Sequence, residues 1–338
     1  MLIFKQKYVF LGLAAIVLII ISSLSFSGEN KVLQNKPVFK IELSAYGLGY
    51  QVDVNGAAAI REFTAANQTT VNLVVNQWMH PEQSEFKFVI LPPERGGEFM
   101  PNAFIKVALL IEDEDNSEVR YRLPLLMFDS KQLKAETEMS ESLAAGQYRL
   151  ADDNQVVAGS GDITLEEISK TAETRYEGAM RYKRQVRIPN SLPLWAFFNS
   201  DTLPDYYEMN DEDYEAAIKD LFVEYKKVQD ALAANDVDSI MPMYAERNRE
   251  GDAAFYYEKG GLEKLLRDGM QNSIDDPDWT LDDRKPSGVG ITLEDNHKLV
   301  SLKIGNDSNA IGFTNSNDSY KSYPMMFRRE NGKGILTR

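Results

Sequence analysis

No cysteine occurs in the 338 residues, which excludes thiol catalysis, cysteine metal ligation and disulfide bracing, so the folded part must hold by packing alone. Histidine occurs only as His80 and His297, each in a polar turn, and no HExxH pattern is present. Neither a zinc centre nor a Ser-His-Asp site is therefore expected, and no cofactor is implied. Gly159-Ser160-Gly161 lacks the outer glycine and the strand-turn-helix of a nucleophile elbow and reads as a turn. Positive charge is also in deficit, with 37 Lys and Arg against 52 Asp and Glu. Setting aside Lys5 and Lys7 takes the formal charge from −15 to −17. Such a surface repels nucleic acid and anionic lipid headgroups; it favours solubility and suits a basic protein partner if there is one.

What is present begins with Tyr8 to Gly28, which carries no charged residue and follows Lys5 and Lys7. About 20 apolar residues in a helix cross a bilayer core, so the stretch predicts a signal anchor with its basic end in the cytoplasm. Ser25-Phe26-Ser27 is a small-x-small triplet, and cleavage near Ser27 is the competing expectation. Both place the rest of the chain outside the cytoplasm, either at the inner membrane facing the periplasm or free as a periplasmic or secreted protein. Residues 1–28 are then the anchor or signal peptide, 29–37 a tether, 38–203 an all-β sandwich and 204–338 an α+β domain.

The sandwich is read from alternation. Phe39, Ile41 and Leu43 alternate with polar neighbours, as do Val52 and Val54, Val71 to Val75, Phe86 to Ile90, Ile105 to Ile111 and Val119 to Leu123. Asn55-Gly56 marks a hairpin turn. The succession Val52-Asp53-Val54-Asn55-Gly56, Val71-Asn72-Leu73, Asn76-Gln77-Trp78 and Phe86-Lys87-Phe88-Val89-Ile90 resembles the jelly-roll accessory modules found beside sugar-active enzymes. It departs from them in the loop His80 to Glu85, which has no glycine. The resemblance implies a sandwich and does not by itself imply sugar binding. Glu112 to Glu118 lacks the glycine and spaced glutamate of a calcium loop and reads as a hairpin tip. Lys131 to Ala145 has helical composition. Arg175, Arg181, Lys183, Arg184 and Arg187 form a basic cluster, read as a complement to nearby acids or as a partner patch. Leu194 to Phe198 reads as core or inter-domain packing.

Seven acids between Asp201 and Glu215 mark the boundary. Tyr214, Ile218, Leu221, Phe222, Tyr225, Val228 and Leu232 then recur at helical spacing, with Asn210 or Asp211 as cap. Shorter helices are predicted after Asp236 and Gly260-Gly261, and short strands from Trp279 to Leu336, with Tyr320 to Phe327 as one of them. The long helix, the phrase Ala231 to Tyr244 and the closing Phe327 to Arg338 resemble the cystatin-like, nuclear-transport-factor-2-like cone fold. That resemblance implies one curled sheet around the helix, often with a pocket that serves ligand binding, isomerase or dehydratase chemistry, or oligomer contacts.

The candidate ligand-binding residues are Tyr225 and Trp279 inside the expected cone and Asp278 and Asp282 beside it, within an acid cluster that also includes Asp275, Asp276 and Asp283. No metal site is expected. The function expected is binding of a protein or small ligand by an exported envelope protein. Two alternatives are an immunity-type protein neutralising an envelope-targeted toxin and a small-molecule enzyme with its site in the cone. A cone filled by Phe222, Tyr225, Trp279 and Phe313 would argue against that enzyme.

Overall fold

Phe39, Ile41, Leu43 and Ala45 are buried while the residues between them point outward, and the same period of two shapes most of the first half. The computed structural model describes residues 31–63, 68–131, 134–136, 143–171, 176–305 and 308–338. The stretch Tyr8 to Gly28 lies outside the described residues, as does Arg175. Among the described residues no helix is long and apolar enough to cross a membrane.

The first half contributes β1 (Pro37–Tyr46), β2 (Gly49–Val54), β3 (Ala57–Glu62), β4 (Thr69–Val74), β5 (Gln83–Leu91), β6 (Phe104–Asp113), β7 (Asn116–Asp129), β8 (Lys134–Glu136), β9 (Gly146–Leu150), β10 (Val156–Ala158), β11 (Ile163–Leu165), β12 (Ser169–Thr171) and β13 (Met180–Arg187). They form two antiparallel sheets, one ordered β4-β1-β6-β7-β8 and the other β10-β9-β11-β13-β5-β2-β3, with β12 on β13. Inward residues of both sheets meet in one apolar cluster, a sandwich-like arrangement. The β2–β3 connection is the expected turn, with Asn55 at φ 52° and Gly56 at φ 73°. The β6–β7 tip holds the acidic run, where Lys36 pairs with Asp115 at 2.8 Å and Lys40 with Glu112 at 2.5 Å.

The second half carries helices α1 (Asp211–Ala233), α2 (Ala245–Ala254) and α3 (Gly261–Asp275). Its strands are β14 (Trp279–Leu281), β15 (Gly290–Leu293), β16 (Val300–Ile304), β17 (Ser308–Asn309), β18 (Gly312–Asn315), β19 (Tyr320–Ser322), β20 (Phe327–Glu330) and β21 (Lys333–Leu336). Asn210 caps α1 by accepting the Asp213 N–H at 2.9 Å, and three acids occupy the first turn at the positive end of its dipole. Ile218, Phe222, Tyr225, Val228 and Leu232 enter a second apolar cluster.

Three expectations are corrected. The strands after α3 form two antiparallel sheets, β14-β18-β19 and β15-β16-β20-β21 with β17 on β16, rather than one curled sheet. Tyr320 to Phe327 does not run as one strand, because Pro324 has no N–H to offer a ladder and the chain breaks between β19 and β20. Within the stretch expected to be helical, Lys134–Glu136 is a strand paired with Met127–Asp129; residues 132–133 and 137–142 lie outside the described residues. Pairing with the long neighbour β7 overrides a local preference that three residues express only weakly.

The basic cluster divides. Lys183 pairs with Glu85 at 3.1 Å and Arg187 with Glu82 at 3.9 Å, as complements to nearby acids. Arg184 is 1% exposed and donates to four carbonyls: Glu166 at 3.1 Å, Leu125 at 3.0 Å, Leu143 at 3.0 Å and Ala144 at 3.4 Å. Burial lowers its pKa to about 10, which still leaves it charged at neutral pH. One guanidinium thus ties the last strand of the half to β7 and to the segment before β9. Arg184→Met keeps most of the volume but orphans the carbonyls, and should cost at least about 3 kcal/mol by urea denaturation; a change under about 1 kcal/mol would show that the carbonyls are met by water instead.

Candidate functional site

The residues singled out in the sequence do not converge. Tyr225 is 1% exposed; its hydroxyl donates to the Met325 carbonyl at 2.5 Å and accepts the Leu302 N–H at 2.8 Å. Burial pushes its pKa up, so the phenol stays neutral and braces α1 against β16. Trp279 sits on the edge strand β14 with the Lys321 ammonium 5.4 Å from its ring centre. Asp278 is exposed, Asp282 pairs with Arg284 and accepts Thr314 Oγ1 at 2.9 Å, and Asp283 accepts Gln229 Nε2 at 3.0 Å. The interior beneath α1 is filled: Phe222, Tyr225 and Phe313 are buried in the cluster and Trp279 packs on its margin. His80 Nδ1 accepts the Glu82 N–H at 3.1 Å, while His297 takes φ 52° in the β15–β16 turn. Among the described residues no group of three acids or histidines could hold a metal ion.

The side chains that do converge lie where the two halves meet. Asp53 and Lys87 are opposite each other on β2 and β5, on the face turned away from the first apolar cluster. Both are nonetheless buried, at 1% and 2% exposure, because the β15–β16 turn covers them. Lys87 Nζ lies between the carboxylates of Asp53 and Asp295, and Arg181 stands 4.0 Å from Asp295. Beside them the carboxylate of Glu294 accepts the Ala58 N–H at 2.8 Å and pairs with Arg61 at 3.1 Å. Burial raises the Glu294 pKa against the pull of Arg61. Asn296 Nδ2 donates to the Asn55 carbonyl at 3.1 Å, and a Cβ on Gly56 would come within 2.6 Å of the Asn296 nitrogen.

Next to this contact opens a cleft of about 1230 Å³ between the edge strands β3 and β15. Three N–H groups of those edges are capped: Ala58 by Glu294, Ile291 by the Tyr214 hydroxyl at 3.0 Å and Leu293 by the Tyr207 hydroxyl at 3.3 Å. The charged side chains lining it, Arg61, Glu62, Asp295 and Lys303, all have partners within the protein. Two aromatics remain open on its walls, Phe63 at 51% exposure and Tyr207 at 49%.

A second contact runs along α2. Asn76, fully buried, donates to the carbonyls of Pro37 and Ala254 at 2.9 Å each and accepts the Phe39 N–H at 2.7 Å. Its own carbonyl receives Trp195 Nε1 at 2.9 Å. Arg338 pairs with Glu250 at 2.5 Å, donates to the Gln77 carbonyl at 3.1 Å and lies over the rings of Trp78, Trp195 and Phe197. Arg328 grips Glu246 with two bonds of 2.7 Å. Burial would raise the Glu246 pKa, but Arg328, Thr337 and Arg249 together outweigh it and the net shift is downward.

The sequence did carry one overlooked signal: a single acid and a single lysine, each flanked by core residues, on strands that pair. Glu294, Arg61, Glu246 and Arg338 left no pattern, since each meets its partner only through the tertiary fold. Comparison with protein-family models, with curated proteins and with solved structures finds no match.

Lys87→Met leaves Asp53 buried with its ammonium gone and should destabilise by about 3–5 kcal/mol, whereas adding Asp53→Leu should recover part of that loss; equal midpoints for the two variants would refute it. A lowered carboxyl stabilises above its ordinary value of about 4.3 and loses that contribution as pH falls through its folded value. Glu246→Gln should therefore flatten the acid side of the stability profile. Glu294 has the opposite sign: its raised value favours folding at low pH and the gain is lost as pH rises through the folded value. Glu294→Gln should flatten that upper limb in urea midpoints measured from about pH 3 to about pH 8.

Proposed function

We propose that this chain is an exported envelope protein that acts by binding, anchored through Tyr8 to Gly28 or released by cleavage near Ser27. The uncharged leader behind two lysines supports export, and the absence of cysteine means folding needs no disulfide chemistry in that compartment. The first apolar cluster is drawn mainly from residues before Leu203, with Ala254 and Leu299 added, and the second from Leu203 onward; we read them as a jelly-roll-like sandwich over 38–203 and an α+β domain over 204–338.

The observation that carries binding over catalysis is the state of the cleft. Its charges are engaged within the protein, while Phe63 and Tyr207 stand open on its walls. Open aromatics framed by satisfied polar groups are the usual anchors of a protein contact. A general acid or base, by contrast, has to be free to move a proton. The filled interior beneath α1 gives small-molecule chemistry of the cone type no space there.

Fusion of alkaline phosphatase behind Arg338 should give an active enzyme, and activity confined to a cytosolic reporter would overturn the export reading. A partner isolated in fixed stoichiometry with the full chain from solubilised envelopes should bind Phe63→Ala about 30-fold more weakly, equivalent to about 2 kcal/mol. Unchanged affinity in that variant, whose side chain is exposed and not part of the core, would remove the cleft from the contact.

A further inference from the structure

Three arginines face the junction from α2 and the strands behind it, and one differs from the others. Arg328 has Glu246 and Arg338 has Glu250. Arg247, between those two acids on α2, donates only to Asn248 Oδ1 at 3.0 Å and lies 5.8 Å from the Tyr244 ring; among the described residues no carboxylate stands within ion-pair distance of it. Burial, and the neighbouring charge of Arg338, lower its pKa.

Arg247 lines a cavity of about 240 Å³, set apart from the cleft and sharing only Lys303 with it. Trp78, Phe255, Leu262, Met325 and Met326 make its walls apolar. Ser301, 3% exposed on β16, also lines it, and its Oγ has no hydrogen-bond partner. Arg338 and Gln77 line the same cavity, and Arg338 Nε and Gln77 Oε1 are likewise unsatisfied. A buried hydroxyl without a partner is costly, and a half-buried guanidinium without a counter-charge adds to that cost. Two such groups on one cavity are what an empty anion site looks like.

We propose that this cavity binds a small monocarboxylate with an apolar body. The carboxylate supplies the charge Arg247 lacks and accepts from the Ser301 hydroxyl, while the body packs on Trp78, Phe255 and Met325. A single negative charge fits because only one guanidinium is uncompensated, and Glu246 and Glu250 nearby oppose a dianion. The volume corresponds to about eight water-sized groups, which limits the ligand to about ten heavy atoms.

Phenylacetate and heptanoate are suitable probes, titrated calorimetrically into the full chain in nanodiscs, with phenylacetamide as the uncharged counterpart. Saturable one-to-one binding of either acid is expected, with the amide at least tenfold weaker. Arg247→Met should weaken the acid at least tenfold. Ser301→Val removes the orphaned hydroxyl that would donate to the carboxylate and narrows the cavity, so it should weaken the acid at least tenfold while raising the melting temperature; this variant also guards against a folding defect in the first. The proposal is overturned if neither acid binds up to about 10 mM, if the amide binds as well as phenylacetate, or if folded Arg247→Met and Ser301→Val bind like the parent. None of those results touches the cleft, whose test is Phe63→Ala.

Discussion

A lysine held at 2% exposure between two carboxylates sets the terms for the whole molecule. Charges taken out of water are tolerated only when paired and hydrogen-bonded, and Lys87 meets that condition with one partner from its own sheet and one from the distant β15–β16 turn. The outer face of the β2–β5 pair is therefore finished only when the second half docks. The rest of the junction shares this logic: Glu294 completes Arg61 and the Ala58 amide, and Arg338 completes the aromatic group of Trp78, Trp195 and Phe197. These polar groups join the halves beside the apolar contacts that Ala254, Leu299 and Phe255 make with the first cluster.

Much of the fold was legible where a single rule decides the outcome. A period of two placed β1, β2, β5 and β6; Asn-Gly placed the β2–β3 turn; a stripe of apolar residues with Asn210 ahead of it placed α1. What escaped was structure whose cause lies elsewhere in the chain. The helix α2 reads AERNREGDAA, with no apolar stripe, and buries Glu250 and Asp252 because their partners come from other elements. Asp252, for instance, accepts the backbone N–H groups of Gly260 and Leu262 and so fixes the start of α3. The same blindness applies to the site. Tyr225 and Trp279 are conspicuous in the sequence, yet the tyrosine is spent on bracing backbone, while Arg247 and Ser301 look ordinary until their surroundings are known.

The arginines of this chain show how one side chain serves three ends. Arg184 is surrounded by carbonyls and locks a strand. Arg328 and Arg338 each hold a carboxylate and close the junction. Arg247 is half-buried and bonds Asn248, but among the described residues it has no carboxylate. Fixed fork geometry and a charge that survives desolvation allow all three, and only the count of acceptors around each separates scaffold from recognition.

At the β2–β3 turn, Gly56 presses so closely on the backbone of Asn296 that even a methyl group has no room. Two stretches some 240 positions apart are thereby bound to a common history, since a bulkier residue at one or an insertion at the other must be answered by its counterpart. Neither half can drift, be exchanged for a cousin or be inherited as a portable piece without the other, and the pair is expected to melt as one body.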